Sequence, residues 1–561
     1  MPAITRFLFI FILFTFSFNV LQASSEEFVY HKFWIQFTDK ADSPYSLDFP
    51  DEFLSERAIN RRLNQNISLT EDDLPINPHY IDSILTFGVP ILTRSKWFNA
   101  VTIETTDSTI LSQIENLSFV NKIEGVARYK LEVDTTNGGE SLADFESNDN
   151  STSLNGQIYG NGFHQLKMLR GDFLHELGYR GRDMIIGVMD AGFRDVNVIG
   201  AFDSLWLQGR ILHYQDFVNP GTDVFDAHTH GTHVLSVMGS NLPGQMMGTA
   251  PDASYMLFRT EDGSSEYRIE EDNWVAAAEF ADSAGADILN TSLGYTRFDD
   301  AQMNYSYQDM TGAVARISIA ADLAAKRGMV VVNSAGNSGN SSWRYISAPA
   351  DGRFVIAVGA MDDKEVRAGF SSVGPSYDGR VKPDIMAMGR GTAIVSLNNQ
   401  LRTANGTSFS APVVSGLIAA LWQTNPDKSA KEVRDALLKS ANRYYNPDSL
   451  YGYGIPDFHK AYLLLNDQPL PTVFQEEKLP LAYPNPFQNQ LNIMYFSEKT
   501  EIIKIDVFDT FGNKVLYKEA KVYKDRFNRI KFSEIGSLPA AMYIVRIKTS
   551  QKQISLKVIK N

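Results

Sequence analysis

Short apolar runs alternate with longer helical stretches through the middle of the chain. The apolar runs cover residues 184–189, 255–258, 287–289, 329–332 and 354–358, and the clearest helical stretches between them cover 273–284 and 317–326. Strands that are apolar on both faces and separated by helices are typical of a parallel sheet with helices on both sides. The pattern therefore predicts an α/β fold here, followed by a helix-rich stretch over 430–466.

A different pattern precedes this region. Residues 33–37, 100–103 and 120–126 read as strands, and residues 111–117 have the spacing of a short amphipathic helix. This mixture predicts a small α+β unit. The stretch that follows, 134–155, is rich in Asn, Ser and Asp and has no apolar periodicity, which predicts an exposed linker that is open to cleavage.

The last part of the chain alternates apolar and polar residues, as exposed strands do. The clearest alternations are Ile503/Ile505/Val507, Tyr543/Val545/Ile547 and Ile554/Leu556/Val558. They predict an antiparallel β-sandwich that begins near residue 479, after a linker over 467–478. Residues 497–561 hold 14 basic and 7 acidic residues in a chain whose net charge is −14, which favours a separate domain with its own partners.

The first 23 residues have the composition of a secretory signal peptide. Arg6 precedes an apolar run over 7–18, and Ala23 lies just before a polar sequence. We expect cleavage near Ala23 and therefore export. The alternative is an uncleaved membrane anchor, although the run is short for a bilayer span.

Composition excludes several kinds of chemistry. The chain of 561 residues contains no cysteine, so it has no disulfide, thiolate metal site or cysteine nucleophile. Its acidic balance argues against nucleic acid as a partner.

Polar residues stand where the predicted strands and helices of the α/β region meet. Asp190 directly follows an apolar run, Asn337 follows the run over 329–332, and His230 and Ser408 each precede a helical stretch. Open parallel sheets place their sites at the carboxyl ends of the strands. Pro412 is expected in the first turn of the helix after Ser408. Ser408 alone could equally be a helix cap.

Asp, His, Ser and Asn together are what acyl transfer requires. A serine attacks a carbonyl, a neutral histidine takes its proton, and an aspartate orients the histidine and stabilises its charged form. An amide donor beside the serine can hold the oxyanion that develops.

The same residues carry a resemblance to the subtilisin family of serine endopeptidases, the subtilases, over about residues 160 to 465. The matching blocks are Asp190-Ala191-Gly192, His230-Gly231-Thr232-His233-Val234, Ala335-Gly336-Asn337 and Gly406-Thr407-Ser408-Phe409-Ser410-Ala411-Pro412, in the chain order of that family; further matches are Ser292-Leu293-Gly294, Gly248-Thr249-Ala250-Pro251 and Lys382-Pro383-Asp384.

The resemblance implies a role for each of these residues. Asp190 would orient the base, His230 would be the general base, Ser408 the nucleophile and Asn337 the oxyanion donor. His233 shares the histidine motif but would be structural.

The resemblance also implies a substrate pocket. Its lining residues would be Ser292, Leu293, Gly294, Ala335 and Gly336. Residue 338, directly after Asn337, is a serine rather than an acid, so a basic side chain would lack a counter-charge there. We therefore expect an apolar or broad preference.

The chemistry requires no cofactor, but some subtilases bind calcium. The loop over 241–247, where that ion would bind, is poor in carboxylates. Two acidic clusters are alternatives, Glu261/Asp262 with Glu270/Glu271/Asp272 and Asp299/Asp300 with Asp309. The alternative interpretation of both clusters, and the one that the sequence favours, is solvated acidic loops, so the metal-binding residues stay unknown.

The flanking parts resemble two further domains. Residues 27–133 are similar to a subtilase propeptide, which chaperones folding and inhibits the enzyme; a binding domain is the alternative. Residues 479–561 are similar to the sorting domain of the Bacteroidetes type IX secretion pathway, through Tyr483-Pro484-Asn485-Pro486-Phe487 and the 507–515 turn. A carbohydrate- or protein-binding β-sandwich is the alternative.

Together these features predict a serine endopeptidase made as a precursor. Its divisions would be a signal peptide at 1–23, a propeptide with linker at 24–150, a peptidase domain at 151–466, a linker at 467–478 and a sorting domain at 479–561. It would cross the periplasm to the cell surface or medium and contact protein or peptide substrates, its own propeptide and the outer-membrane secretion machinery. The alternative is a surface adhesin on an inactive protease fold.

Overall fold

The computed structural model of the protein describes residues 28–130, 158–468, 480–483, 485–524 and 526–561. They form an N-terminal, a central and a C-terminal unit. The signal peptide expected at 1–23 and the linker expected at 134–155 lie outside the described residues, as does most of the linker expected at 467–478.

The N-terminal unit is a four-stranded antiparallel sheet with three helices. Its elements are β1 (Phe28–Phe37), α1 (Glu56–Asn64), α2 (Pro78–Leu85), β2 (Ile91–Ser95), β3 (Ala100–Glu104), α3 (Ser108–Glu115) and β4 (Val120–Lys130). The strand order is β2-β3-β1-β4. The three strands expected from the sequence are confirmed. The helix expected at 111–117 begins at Ser108 instead, because the Asp107 side chain accepts hydrogen bonds from the Thr109 and Ile110 amides and caps it there.

The central unit is built around a parallel sheet with helices on both sides. Its elements are α4 (Phe163–Met168), α5 (Asp172–Glu176), β5 (Ile185–Asp190), α6 (Asp203–Leu207), β6 (Ile211–Asp216), α7 (His230–Gly239), β7 (Asn241–Leu242), β8 (Met246–Met247), β9 (Ser254–Arg259), α8 (Ile269–Ala284), β10 (Ile288–Thr291), α9 (Arg316–Lys326), β11 (Val330–Ser334), β12 (Ile356–Met361), β13 (Ile385–Met388), β14 (Thr392–Val395), β15 (Leu401–Ala404), α10 (Thr407–Trp422), α11 (Ala430–Ser440) and α12 (Phe458–Leu465).

The sheet of this unit confirms the predicted α/β fold. Seven strands follow the order β13-β12-β11-β10-β5-β9-β6, and every neighbouring pair is parallel. β5 is the first of these strands in the chain: β6 and β9 are added on one side of it, and the chain then crosses over to add β10 to β13 on the other side. The carboxyl end of such a strand is where open α/β sheets form their binding sites.

Helix α10 is the most deeply buried helix of the unit. All of its residues are buried, and it packs on α7 and on strands β10 to β13. Residues that are apolar all round are expected of a helix enclosed by other elements. Because α10 is enclosed in this way, its first turn is held firmly at the carboxyl edge of the sheet.

The C-terminal unit consists of antiparallel strands, as predicted. They are β16 (Leu481–Tyr483), β17 (Leu491–Ser497), β18 (Glu501–Phe508), β19 (Lys514–Val522), β20 (Arg526–Phe532), β21 (Met542–Lys548) and β22 (Gln553–Ile559). Two sheets, β16-β17-β20 and β19-β18-β21-β22, enclose one core. This unit contacts the central one where Tyr483 packs on Phe173 and the Arg529 side chain donates to the backbone oxygen of Glu176 at 2.7 Å.

Candidate active site

Five polar residues meet at the carboxyl edge of the parallel sheet. Asp190 ends β5, Ser292 follows β10 and Asn337 follows β11, while His230 begins α7 and Ser408 lies in the first turn of α10. Since parallel strands all end at the same edge, residues far apart in the chain are brought together there. All four residues expected to carry chemistry therefore belong to one site.

Asp190 and His230 form a buried hydrogen-bonded pair. The Asp190 residue is 1% exposed, and its Oδ1 atom lies 2.8 Å from His230 Nδ1 and accepts a further bond from the Ala191 amide at 2.8 Å. This contact places the proton of a neutral His230 on Nδ1, so that the lone pair of Nε2 is free to accept another proton.

The pKa of His230 is raised above the usual 6.5. Burial alone would lower it, but the negative charge of Asp190 and the hydrogen bond to it outweigh that effect, and Glu261 adds to the increase. A histidine that holds a proton more strongly is a better general base, provided that it is neutral at the working pH.

Glu261 is a site residue that the sequence analysis considered only as part of an acidic cluster. It follows β9, the neighbour of β5, and accepts a hydrogen bond from the Tyr295 hydroxyl at 3.3 Å. Burial, and after it the negative charge of Asp190, raises the pKa of Glu261 to about 8. Glu261 lies two residues after the end of β9, at the carboxyl edge of the sheet, and that position in the sequence could have identified it as a site residue.

Ser408 is the second residue of α10 and is 9% exposed. Gly406 precedes the helix with φ +152°, a conformation that favours glycine. Pro412 lies in the second turn, so the expectation that it belongs to the first turn was wrong: the helix begins at Thr407, earlier than the apolar run indicates. Because Pro412 has no N–H, the carbonyl of Ser408 lacks a helical partner, and Ser292 Oγ donates to it at 2.9 Å.

The Ser408 hydroxyl donates to the backbone oxygen of Ser292 at 3.0 Å. Among the described residues, no hydrogen bond joins Ser408 Oγ to His230 Nε2. The His230 ring instead packs near the Phe409 ring, with 5.8 Å between the centroids. Bonds between a nucleophile and its base are often long or absent before substrate binds. Ser408 is therefore in the site but is not yet engaged by the histidine.

The side-chain amide of Asn337 is fixed in orientation by Thr407. Asn337 Oδ1 accepts from both the Thr407 amide and the Thr407 hydroxyl at 2.9 Å, which leaves the Nδ2 protons for another partner. The Ser408 amide is one of the first four of α10, which have no acceptor within the helix. Two donors thus lie beside the Ser408 hydroxyl. Sequence reasoning identified Asn337 but not the role of Thr407.

The segments expected to bind substrate, 292–294 and 335–336, both contact the first turn of α10: Ser292 bonds Ser408, and the Gly336 amide donates to Thr407 Oγ1 at 3.2 Å. Ser292, Leu293 and Ala335 are buried, whereas Gly294 is exposed and Gly336 is half-buried. The two strands that carry these segments are tied together, because Asn333 Nδ2 donates to the backbone oxygen of Leu293 at 3.1 Å.

His233 follows His230 by almost one turn of α7. It is 3% exposed, and its Nε2 atom lies 3.1 Å from Ser396 Oγ. Burial lowers the pKa of His233 to about 3, so the ring is neutral at ordinary pH. This contact with Ser396 anchors the helix that carries His230.

Three residues of the first acidic cluster do not lie in a solvated loop, which corrects that interpretation for them. Glu270, Glu271 and Asp272 lie in the first turn of α8 and are buried. Glu271 accepts from the Tyr305 hydroxyl at 2.6 Å, and Asp272 pairs with Arg316 at 2.9 Å. Over the described parts of the chain, no three acidic or histidine side chains are close enough to hold a metal ion.

The N-terminal unit docks on helix α8 through a turn between β2 and β3. The Glu279 carboxylate accepts from Ser95 Oγ at 2.6 Å, from the Lys96 amide at 2.7 Å and from the Trp97 amide at 3.0 Å. A carboxylate that satisfies several donors of a facing chain fixes its position. A second contact between the two units lies on α9, where the Arg316 guanidinium is 4.6 Å from the ring centroid of Trp34 in β1.

A buried cluster of ion pairs extends the same interface. Asp282 of α8 receives Arg61 and Arg62 of α1, and Arg62 also reaches Asp73 at 2.9 Å. Burial alone would raise the pKa of Asp282, but the charges of the two arginines outweigh it and hold the pKa below the usual 3.8. Protonation of Asp282 would therefore weaken the contact between the N-terminal and central units.

The fold and the geometry of the site together identify the class of protein. A histidine bonded to a buried aspartate, beside a serine at a helix N-terminus on a parallel sheet, is the arrangement of catalytic groups found in serine hydrolases.

The helices of the described residues include none with the length and hydrophobicity that a membrane span requires.

Comparison with known proteins gives the family. Residues 181–454 match the subtilase family, residues 32–140 match the peptidase S8 propeptide domain of Bacteroidota, and residues 481–561 match the secretion system C-terminal sorting domain. The chain belongs to the subtilase family of serine endopeptidases and carries a propeptide domain and a type IX secretion sorting domain. The sorting domain marks it as secreted or bound at the cell surface.

The chain is similar to several bacterial proteases. It is 31% identical to subtilisin DY of Bacillus licheniformis over 305 residues, which cover 53% of this chain and 97% of that protein. It is also 31% identical to serine protease AprX of Bacillus subtilis (strain 168) over 306 residues, covering 49% of this chain and 65% of AprX. A solved structure, the prenylagaramide maturation protease PagA, matches 54% of this chain and 99% of its own at 25% identity, with a TM-score of 0.43.

Proposed function

We propose that this protein hydrolyses peptide bonds in proteins through a triad of Ser408, His230 and Asp190 and an acyl-enzyme intermediate. The observation that carries the proposal is the 2.8 Å bond between His230 Nδ1 and buried Asp190, beside a serine in the first turn of α10. Such a bond fixes the tautomer that can take a proton from serine.

The first half of the reaction forms the acyl-enzyme. The Ser408 hydroxyl turns from the Ser292 carbonyl towards His230 Nε2, and its oxygen attacks the scissile carbonyl carbon as the proton passes to His230. Asp190 stabilises the imidazolium that results. Asn337 Nδ2 and the Ser408 amide hold the negative oxygen of the tetrahedral intermediate. When the C–N bond breaks, His230 gives the proton to the leaving amine.

The second half restores the enzyme. A water molecule gives one proton to His230 and attacks the ester carbonyl, and the same two donors hold the second tetrahedral oxyanion. The Ser408–carbon bond then breaks, and the proton on His230 returns to Ser408 Oγ. Every proton and bond is accounted for by these side chains and water, so the chemistry as proposed needs no cofactor.

The N-terminal unit acts as an inhibitor until it is removed. Glu279 and Asp282 of α8 hold it through the contacts described above, and the chain beyond β4 has to be cut to free the site. We propose a signal peptide at 1–23, propeptide and linker at 24–150, peptidase domain at 151–466, a second linker at 467–478 and sorting domain at 479–561. Export would then run through the periplasm and the outer-membrane secretion machinery.

One experiment tests the proposed activity. The processed wild-type protein should cleave an unfolded protein such as reduced casein, whereas a Ser408→Ala variant should accumulate as uncleaved precursor. A Ser410→Ala variant is the matched control, because Ser410 lies in the same helix but bonds only to backbone oxygens. Absence of cleavage by correctly folded, processed wild type would favour the adhesin instead.

A further inference from the structure

Strand β17 of the sorting domain is buried on both of its faces. Leu491, Ile493 and Tyr495 belong to the core between the two sheets, as alternate residues of a sandwich strand should. Asn492 and Met494 lie on the opposite face, which a sandwich strand usually exposes to solvent, yet they are 3% and 0% exposed. A part of the protein outside the sandwich therefore covers this face.

The other sheet of the domain shows the usual alternation. In β21 the buried Tyr543, Val545 and Ile547 alternate with more exposed residues, and in β22 the outward residues, such as Lys557, are exposed. The burial of both faces of β17 is thus not a general property of the sandwich. It follows from what lies against its sheet.

The peptidase unit provides the cover. Tyr483 of β16 and Met494 belong to the same apolar cluster as the core of that unit. The Tyr483 ring lies 6.4 Å from the Phe173 ring of α5, and Phe173 packs edge-on against Tyr462 of α12 at 5.4 Å. The strand register places Tyr483 opposite Asn492 and Met494 opposite Arg529. We refer to the sheet face that carries these four residues as the docking face.

Arg529 gives this contact a fixed direction. Glu176 is the last residue of α5, and the last carbonyl groups of a helix have no donor within it. The Arg529 guanidinium donates to the Glu176 carbonyl at 2.7 Å, and its Nε atom donates to Asn492 Oδ1 at 3.0 Å. Because Asn492 is buried and holds the guanidinium, the two units fit together in one orientation.

We propose that the docking face holds the sorting domain on the peptidase unit independently of the connecting chain, so that a cut within the linker over 467–478 leaves a non-covalent complex. Burial of Tyr483 and Met494 drives the association, and Arg529 orients it. This inference goes beyond the proposed function and requires no catalysis by Ser408. While the domain is docked, the outer face of β19-β18-β21-β22 is the sheet face left open to other partners.

The test uses the full-length precursor in a Ser408→Ala background, which prevents self-digestion, with a recognition site for an added protease inserted within residues 470–478. After complete cutting, size-exclusion chromatography at micromolar concentration should give one peak that contains both fragments. Arg529→Ala should raise the apparent dissociation constant by about 10-fold or more, as expected for the loss of a hydrogen bond from a charged group. Chromatography at a series of decreasing concentrations measures that constant.

Met494→Glu and Ile544→Glu form a matched pair of variants. Both place a carboxylate on an outer face of the sandwich, but Met494 is covered by the peptidase unit, whereas Ile544 is 38% exposed. Met494→Glu should separate the fragments after cutting, because burying an unpaired carboxylate is strongly unfavourable. Ile544→Glu should leave them together. Arg529→Ala removes no apolar core residue, so it keeps the test decisive if Met494→Glu does not fold.

Three results would overturn the inference. The first is separation of the parent fragments at micromolar concentration as soon as the linker is cut. The second is an Arg529→Ala complex as stable as the parent complex, and the third is equal separation in Ile544→Glu and Met494→Glu. Because every protein in the test carries Ser408→Ala, none of these results depends on the proposed hydrolysis.

Discussion

Ser292 and Ser408 exchange two hydrogen bonds across the active site. Ser292 Oγ donates to the backbone oxygen of Ser408 at 2.9 Å, and Ser408 Oγ donates to the backbone oxygen of Ser292 at 3.0 Å. The first bond exists because Pro412, four residues after Ser408, has no N–H to offer that carbonyl. The pair joins the end of β10 to the first turn of α10.

Removing the Ser292 hydroxyl should destabilise the protein. Ser292→Ala leaves the buried carbonyl of Ser408 without a partner, and such a loss costs about 1–3 kcal/mol. We expect a decrease of that size in the free energy of unfolding, measured with urea in a Ser408→Ala background that prevents self-digestion.

A double-mutant cycle with Pro412 supplies the control for this prediction. In Pro412→Ala the new amide can donate to the Ser408 carbonyl, so Ser292→Ala should cost less there than in the parent. Equal costs in the two backgrounds would show that the Ser292 hydroxyl does not compensate for the missing amide.

Loss of the Asn337 amide should reduce turnover. Asn337→Ala removes one of two donors to the oxyanion, and we expect kcat to fall about 10²–10³-fold with little change in KM, the size of effect known for the oxyanion-hole asparagine of subtilisin. Steady-state kinetics on a peptide substrate measures it.

Thr407 offers a matched comparison for Asn337. Thr407→Val removes the hydroxyl that bonds Asn337 Oδ1 but keeps the backbone amide bond to the same atom. We therefore expect a smaller decrease in kcat than in Asn337→Ala. A larger decrease would mean that Thr407 acts in some other way than by orienting the amide.

The activity should rise with pH as His230 loses its proton. Since the pKa of His230 is raised, the midpoint of kcat/KM on the acid side should lie above 6.5. In Asp190→Asn the carboxylate charge is absent, so burial should carry the midpoint below that of the parent, while kcat falls about 10⁴-fold. A midpoint that does not move would contradict the role given to Asp190.

Glu261 should produce a second inflection in the same profile. With a pKa of about 8, its carboxyl group becomes charged in mildly alkaline solution close to Asp190 and His230. Glu261→Gln should remove an inflection near pH 8. A profile of unchanged shape would show that ionisation of Glu261 does not affect the reaction.

The interface of the N-terminal unit should depend on pH through Asp282. Because the folded-state pKa of Asp282 is lowered, its contribution to stability is present above pH 3.8 and is lost as the pH falls through that lowered value. Asp282→Ala leaves two buried guanidinium groups short of a partner, and we expect the precursor to lose about 3–5 kcal/mol of unfolding free energy at neutral pH.

The measurement is urea unfolding of the Ser408→Ala precursor with and without Asp282→Ala, at pH 7 and below pH 3.8. Lys431→Ala is a suitable control, because it breaks an exposed pair with Asp435 and should change nothing measurable. If Asp282→Ala behaved like Lys431→Ala, the buried cluster would not hold the two units together.

The sequence predicted most of the strands that burial makes apolar, although β13, which is just as buried, was not predicted. β5 and β9 to β12 have apolar runs because both of their faces are covered. Edge strand β6 was not predicted, since its exposed positions alternate with half-buried ones. Helix α1 was missed for another reason: part of its buried face consists of Arg61 and Arg62, which a hydrophobic pattern cannot reveal.

In the candidate site, too, some features could be predicted from the sequence and others could not. Motif order indicated Asp190, His230, Asn337 and Ser408, because chemistry restricts which residue types can stand there. The direction of the Ser408 hydroxyl and the hydrogen bonds by which Thr407 orients Asn337 depend on contacts between distant segments. No local pattern in the chain encodes those contacts.

Reaction of the processed protein with a fluorophosphonate tests the central proposal most directly. Peptide mass spectrometry should find one adduct, on Ser408, in the wild type and none in Ser408→Ala, and labelling should slow markedly in His230→Ala. An adduct on a different serine, or no adduct on wild type that is folded and freed of its N-terminal unit, would contradict the assignment of Ser408 as the nucleophile.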